Sequence, residues 1–576
     1  MSIDFLSILN ETNSIKNEET GEIIITTPEL EITDKYTINS KCKITSNCNT
    51  IIKSSGFNIS SNFIFLSNIT FKTFIYIKNS FNVNIINCNI KDVKDSFAIS
   101  INNSKSIFLD QITITNVELP IGIFIYNKSH LIASKILING LIDVNISCKD
   151  ESKIYIDDST FYQSNSNGIN INNSYSEIEN CKISNTVLPG IFAFKSKGII
   201  ENNEITNIKM NGIVIHDESS FEIKDNKITN INGSAISVIE NSTCNIHHNI
   251  ISEINNNGIY VDKKSNVTAY NNELNNIKCP AIAIINQSKA NVFENEITKI
   301  NTCGIRIIGS KNVEINRNKF QNINECAISI LDSKVCFVTN NNISDCKIAA
   351  IEVYNNSIAN LINNSISNIN EYAFLSYISG QIKAENNTIS NVKKAMVNLN
   401  FNGSGSFINN KLINCPCQKE GKTGSQYFFN GNSNFEGVTN DESKKTESIY
   451  YEEKYVENND LCIKCKQKPR QFFLLNCAHK VYCQECAEEA LKTHQKCPLC
   501  RMPIIDLNEG FKTKNELCGI CLDKKVDCIV MPCGHIGYCH KCLEIWFKDN
   551  QKCPYCQIKP VEFKKIHDLE NSSNLK

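Results

Sequence analysis

Between Cys462 and Cys556 the chain sets out one series of sulfur and imidazole side chains twice. The first copy runs Cys462-x2-Cys465, Cys477-x-His479-x3-Cys483-x2-Cys486, Cys497-x2-Cys500. The second runs Cys518-x2-Cys521, Cys533-x-His535-x3-Cys539-x2-Cys542, Cys553-x2-Cys556. Every ligand-type residue of the second copy follows its counterpart by 56 positions. Seven thiols and one imidazole per copy suit two four-coordinate sites, which is the tetrahedral sulfur and nitrogen set that Zn2+ prefers. A segment this short cannot bury a self-sufficient core, so metal is expected to supply its folding energy.

The alternative chemistry for paired cysteines is a disulfide framework, which needs an oxidising compartment. Met1 to Lys16 lacks the basic stretch and continuous apolar run of a secretory leader, so a reducing compartment, cytoplasmic or nuclear, is expected. Of 28 cysteines, the 14 outside the two series are scattered through apolar stretches and read as reduced core residues. A formal net charge of -1 provides no basic field for nucleic acid or an acidic surface. No apolar run reaches the roughly 18 residues of a membrane span.

The other four-fifths of the chain must position this module, and its pattern is a repeat. One unit, EITNIKMNGIVIHDESSFEIKDN, starts at Glu204 and places Ile205 with Ile208, Ile213 with Ile215, and Phe221 with Ile223. The spacing of two in the last two pairs points both members to one face of a strand. Stepping by 23, Ile205 is succeeded by Ile228, Ile251, Leu274, Ile297, Phe320, Ile343, Ile366, Ile389 and Leu412. Gly212 is succeeded by Ala235, Gly258, Ala281, Gly304, Ala327, Ala350 and Ala373, small enough for a tight corner.

Asparagine marks the register most sharply, from Asn203 through Asn226, Asn249, Asn272, Asn295, Asn318, Asn341, Asn364 and Asn387 to Asn410. Asn tolerates left-handed backbone, and stacked amides both donate and accept. Upstream, Ile90, Ile114, Ile138, Phe161 and Ile183 hold the anchor position at steps of 22 to 24. Three short strands per turn with apolar residues inward describe a mainly β chain wound as a parallel β-helix solenoid.

This repeat resembles the pectin-lyase-like right-handed β-helix over about 20–415, a resemblance that identifies architecture better than function because the fold hosts several activities. The paired cysteine series resembles the C3HC4 RING finger over about 459–560. The expected organisation is a cap at 1–20, the right-handed parallel β-helix at 21–417, and a flexible linker at 418–457. Two small zinc-bound RING domains follow at 458–505 and 516–560, joined by 506–515 and trailed by 561–576. The junction pair Cys415 and Cys417 is expected to close the last coil.

The RING resemblance implies interleaved ligands. Cys462, Cys465, Cys483 and Cys486 would hold one zinc, and Cys477, His479, Cys497 and Cys500 a second. In the other copy the sets would be Cys518, Cys521, Cys539, Cys542 and Cys533, His535, Cys553, Cys556, giving four Zn2+ in all, two per RING. His540, beside Cys539, is a competing imidazole. The resemblance further implies an E3 ubiquitin ligase, which holds a ubiquitin-charged E2 enzyme beside a protein substrate and contributes positioning with no covalent intermediate of its own. The family's E2 contacts fall on Ile520, Trp546 and Pro554 in the second copy, with Gln557 where ligases often carry a cation. In the first copy Pro498 and Arg501 match, but Lys464 and Ala490 stand at the other two places.

The β-helix itself is expected to be a recognition scaffold for substrate. Asp157 and Asp158 are adjacent, so strand alternation points them to opposite faces, Asp217, Asp225 and Asp262 share no repeat position, and His216, His247 and His248 have no acidic partner in register, so no acid/base pair is expected. Two other readings are a non-catalytic zinc-binding assembly scaffold and a carbohydrate-active β-helix.

Overall fold

A 23-residue turn with three strands has no hydrogen-bonding partner inside itself, so each strand must pair with its equivalent one turn on. The computed structural model describes residues 2–421, 425–436, 462, 464–465, 467–468, 472–474, 480–493, 507–508, 511–512, 528–531, 535–549 and 562–565. They fall into two units, Met1–Asn440 and Asp441–Lys576.

In the first unit, one coil comprises β1 (Glu204–Ile208), β2 (Ile213–His216) and β3 (Ser220–Lys224), and the next β4 (Lys227–Ile231), β5 (Ile236–Ile239) and β6 (Thr243–His247). β1 pairs parallel with β4 at Ile205↔Ile228, β2 with β5 at Ile213↔Ile236, and β3 with β6 at Phe221↔Cys244. The 23-residue step of the sequence is thus the strand register itself. All three apolar pairs of the unit are buried, and the anchor column from Ile205 to Leu412 lies in one continuous core. The looser upstream anchors also stack as expected, Ile90 on Ile114, Ile114 on Ile138, Ile138 on Phe161 and Phe161 on Ile183.

Nearer the start the step shortens to 18 or 19 residues, as Phe57↔Ile75, Ile52↔Phe71 and Ile64↔Val83 show. These coils keep all three strands by trimming their corners. The solenoid opens on a strand, Ser2–Asp4, and a single 3-10 turn, Phe5–Ile8, within the expected cap. Phe5 plugs the end of the core, edge-on to Tyr36 and Phe57 with both ring centroids at 5.1 Å. At the other end the stack continues past Cys417. Lys419–Gly421, Gln426–Asn430 and Ser433–Glu436 pair with Val397–Leu399, Ser404–Ile408 and Lys411–Ile413 as a further coil. Residues 418–421 and 425–436 of the expected linker therefore belong to the β-helix, because Tyr427 and Phe429 pack on the core end.

The asparagine column is buried and continuous. Asn295 shows the pattern, its Nδ2 donating to Asn318 Oδ1 at 2.9 Å and to the Ala269 and Phe293 carbonyls at 2.9 and 3.0 Å. Its own Oδ1 accepts from the backbone N–H and the Nδ2 of Asn272, at 3.0 and 2.9 Å. The column runs one rung further than the 23-residue step indicates, from Asn410 to Asn432. Left-handed backbone belongs instead to the residue before each rung, such as Asp225, His248 and Asn271. The rungs satisfy buried backbone donors, and the turn is made one position earlier.

A second column, of serine, occupies another corner. The N–H of Ser196 donates to Ser219 Oγ at 2.9 Å, that of Ser219 to Ser242 at 3.2 Å, and that of Ser242 to Ser265 at 3.3 Å. The histidines on the outer face do have acidic neighbours. His216 Nε2 lies 3.6 Å from Glu240, and His247 Nε2 lies 3.2 Å from Glu222. These partners are 24 and 25 residues away, and a search at 23 passes over them.

Replacing Asn295 with Ala strands the backbone N–H of Asn272 in a buried corner, which costs roughly 1–3 kcal/mol, while Asn272 Nδ2 keeps the Ile246 and Tyr270 carbonyls. Urea unfolding is expected to show a loss of about 2 kcal/mol, against less than about 0.5 kcal/mol for the exposed amide in Asn324→Ala. Equal midpoints for the two variants would remove the column from the list of stabilising features.

Candidate metal centre

In the second unit, β7 (Phe472–Leu474) and β8 (Lys480–Tyr482) form an antiparallel pair, and α1 (Gln484–Lys492) follows at once. The same order recurs as β9 (Cys528–Met531), β10 (His535–Tyr538) and α2 (His540–Asp549). The pair Phe472↔Tyr482 becomes Cys528↔Tyr538, so the 56-residue step of the ligands is also a step of backbone structure.

Cys483 is the N-cap of α1 but makes no side-chain capping bond, which leaves its sulfur for another partner. Cys486 lies on the buried face of α1 with Ala487 and Ala490, against Cys462, Val481 and Tyr482. The sulfurs of Cys462, Cys465, Cys483 and Cys486 all lie within 4.8 Å of one another. Cys465 and Cys483 are 3.8 Å apart, matching the edge of a tetrahedron with metal–sulfur bonds of about 2.3 Å. An all-thiol set of this size fits Zn2+, and these four residues would hold it. They are the four the RING resemblance groups together.

The electrostatics favour thiolate at the rim. Backbone N–H groups of Gln467 and Lys468 donate to the Cys465 sulfur and hold its thiol down to about 6. Desolvation pushes Cys483 and Cys486 up. Burial pushes the solenoid's apolar cysteines Cys88, Cys148, Cys244 and Cys336 up to about 12, which keeps them protonated and inert. Every cysteine among the described residues is a free thiol. These donors belong to the second and third residues after the Cys-x2-Cys pair, and no side-chain pattern in the sequence marks them.

In the second copy Cys539 is buried and Cys542 half-buried at the start of α2, in the places of Cys483 and Cys486. The N–H groups of Cys542 and Leu543 both donate to the Cys539 carbonyl, each at 3.1 Å. His540 Nδ1 sits 3.6 Å from Glu544, one helical turn along. His535 is in β10 and Trp546 in α2. Cys477, His479, Cys497, Cys500, Cys518, Cys521, Cys533, Cys553 and Cys556 lie outside the described residues, as do Ile520, Pro554, Gln557, Pro498 and Arg501. Lys464, at a place where the RING resemblance implies an E2 contact, is paired with Glu489 at 2.9 Å, and Ala490 is fully buried.

The family model described as right handed beta helix region matches residues 167–314 and 303–461, together just over half of the chain. The model described as zinc finger, C3HC4 type (RING finger), matches 458–507 and 514–562. Among curated proteins, RING finger protein 141 of Danio rerio is 41% identical over 46 residues, 8% of this chain and 20% of that protein. E3 ubiquitin-protein ligase APD4 of Arabidopsis thaliana is 33% identical over 60 residues, 10% of this chain and 15% of that one. Apoptosis inhibitor 1 of Autographa californica nuclear polyhedrosis virus is 30% identical over 102 residues, 17% and 32% of the two chains. The chain thus spans a third or less of the length of these relatives. Among solved structures, the periplasmic alginate epimerase AlgG overlaps at 10% identity and a TM-score of 0.29, covering 72% of this chain and 84% of that one. The catalytic unit of a GH87 alpha-1,3-glucanase from Streptomyces thermodiastaticus overlaps at 12% and 0.26, covering 73% and 64%. Overlaps at these scores carry no argument about this chain.

Removing one sulfur of the quartet should unseat the metal. In Cys486→Ser, zinc content by native mass spectrometry is expected to fall by at least one ion per chain. Full zinc retention would show that the quartet is not a site.

Proposed function

Because the chain belongs to the right-handed β-helix family and carries two C3HC4 RING-finger matches, we propose that it is a RING-type E3 ubiquitin ligase. The observation that carries the reading is the thiol quartet of Cys462, Cys465, Cys483 and Cys486, gathered at tetrahedral spacing inside a RING-matched segment. Three further quartets on the pattern of the sequence would bring the zinc count to four per chain.

The two RINGs divide the work. In the first, the ion pair of Lys464 with Glu489 and the burial of Ala490 leave little apolar surface at the places where relatives dock an E2. The second has Ile520, Trp546 and Pro554 at those places, with Trp546 on α2. RING 2 is therefore assigned to the charged E2 and RING 1 to a structural or regulatory contact. Ubiquitin transfer then runs directly from the E2 thioester to a substrate lysine, and the zinc frame contributes orientation. The β-helix serves as the substrate scaffold, since each coil presents another row of side chains along one continuous surface. Gln557 replaces the usual cation with a neutral hydrogen-bonding group.

The test is autoubiquitination by the zinc-loaded full-length chain with a panel of charged E2 enzymes. Trp546→Ala removes a hot-spot aromatic worth about 2 kcal/mol or more and should slow chain formation by about 30-fold or more. Lys464→Ala should leave the rate within about twofold, since exposed ion pairs contribute only a few tenths of a kcal/mol. Equal losses would refute the division between the RINGs. No chains with any E2, from protein shown to hold its zinc, would favour the assembly-scaffold reading that the Lys464–Glu489 pair supports for RING 1.

A further inference from the structure

On the outer face of the solenoid, His247 and His248 bring their Nδ1 atoms within 2.8 Å of each other. Neighbours on a strand ordinarily point to opposite faces. Here His248 takes left-handed backbone, φ 55°, at the corner after β6, which swings its ring onto the side of His247. The ring planes stand at 83° with centroids 5.1 Å apart.

The hydrogen bonds around the pair are satisfied by one arrangement of its protons. Asn271 Nδ2 lies 3.4 Å from His248 Nε2 and in that arrangement donates to it. His248 therefore carries its proton on Nδ1 and donates it to His247 Nδ1. His247 in turn carries its proton on Nε2, 3.2 Å from the Glu222 carboxylate. A carboxylate on the far nitrogen of an imidazole is the usual support of a metal-bound histidine, because it fixes the tautomer and raises the basicity of the other nitrogen. His247 is also held in place by packing. It is only 8% exposed and lies flat on Tyr270 at 4.6 Å and 15°, which itself stacks on Phe293 at 4.9 Å and 3°. His248 faces solvent.

We propose that His247 Nδ1 and His248 Nδ1 form a two-histidine site for a tetragonal divalent transition-metal ion, with Glu222 as its supporting carboxylate. The spacing that this hydrogen bond sets is already that of two neighbouring ligands in one coordination geometry. Metal–nitrogen bonds of about 2.0 Å put ligands at 90° about 2.8 Å apart, and tetrahedral ligands about 3.3 Å apart. The observed 2.8 Å suits the square-planar arrangement that Cu2+ and Ni2+ adopt with nitrogen and oxygen donors. As the ion enters, the proton between the two Nδ1 atoms passes through solvent to His248 Nε2, where Asn271 turned to present its Oδ1 accepts it, so both rings stay neutral and water fills the remaining positions on the exposed side. The equivalent pairs one coil either side, Lys224 with Asp225 and Tyr270 with Asn271, carry no imidazole. The site lies in the first unit and the cysteine quartet in the second, and their donor chemistry differs.

The test adds one equivalent of Cu2+ to zinc-replete full-length protein and reads the electron paramagnetic resonance spectrum together with zinc retention. A tetragonal signal split by two imidazole nitrogens, with zinc retained, is expected. His248→Asn places there the residue that stands at position 271, so the corner keeps its shape, and the two-nitrogen signal should vanish. Glu222→Gln should keep the signal but weaken copper affinity about 10–100-fold. A two-nitrogen signal that persists in His248→Asn, no nitrogen splitting in the wild type, or copper uptake only with release of zinc would each overturn the assignment.

Discussion

Hydrogen bonding between a residue and its equivalent one coil on is the constraint from which the solenoid follows. Because no coil can pair its own strands, every backbone donor in a strand depends on the next coil arriving in register. The buried asparagine column shows how strict this is. Each rung accepts two bonds from the coil before and donates to the coil after, so a slip of one residue would orphan several polar groups in an apolar corner. Length changes are confined to corners. The stretch Lys105–Tyr126 absorbs one as a register shift between Thr115 and Glu118, and the coils near the start lose four or five residues without losing a strand.

The same constraint sorts the cysteines. Inside the solenoid a thiol is a small apolar filler, and burial raises it far above neutrality. In the C-terminal unit Cys465 sits under two backbone N–H donors that favour the thiolate. Residue type is identical and the surroundings decide between packing and ligation.

The zinc-binding segments are the opposite case of a fold without enough core. The buried face of α1 amounts to Cys486, Ala487 and Ala490, and the strands beside it are three residues long. Metal is what gives such a segment its folding energy. The 56-residue step keeps the hairpin and the helix in both copies, while the residue before the second cysteine differs, Lys464 in one and Ile520 in the other.

Repeat length, the inward columns, the amide column and the grouping of ligand-type residues were all legible in the sequence, because each is a matter of side-chain type at a fixed covalent step. What lay off that step was not. The left-handed residue proved to be the one before each asparagine rung, since the rung's amide needs ordinary backbone to reach into the corner. Glu222 and Glu240 meet their histidines across 25 and 24 residues because side chains reach diagonally between coils. The coil ending at Glu436 escaped notice because its glycines and lysines mask strands that only stacking stabilises. Sequence by itself determined the period and the chemistry available in each coil. Tertiary structure decided which groups touch, because corner dihedrals set the offset between coils and no spacing rule contains them.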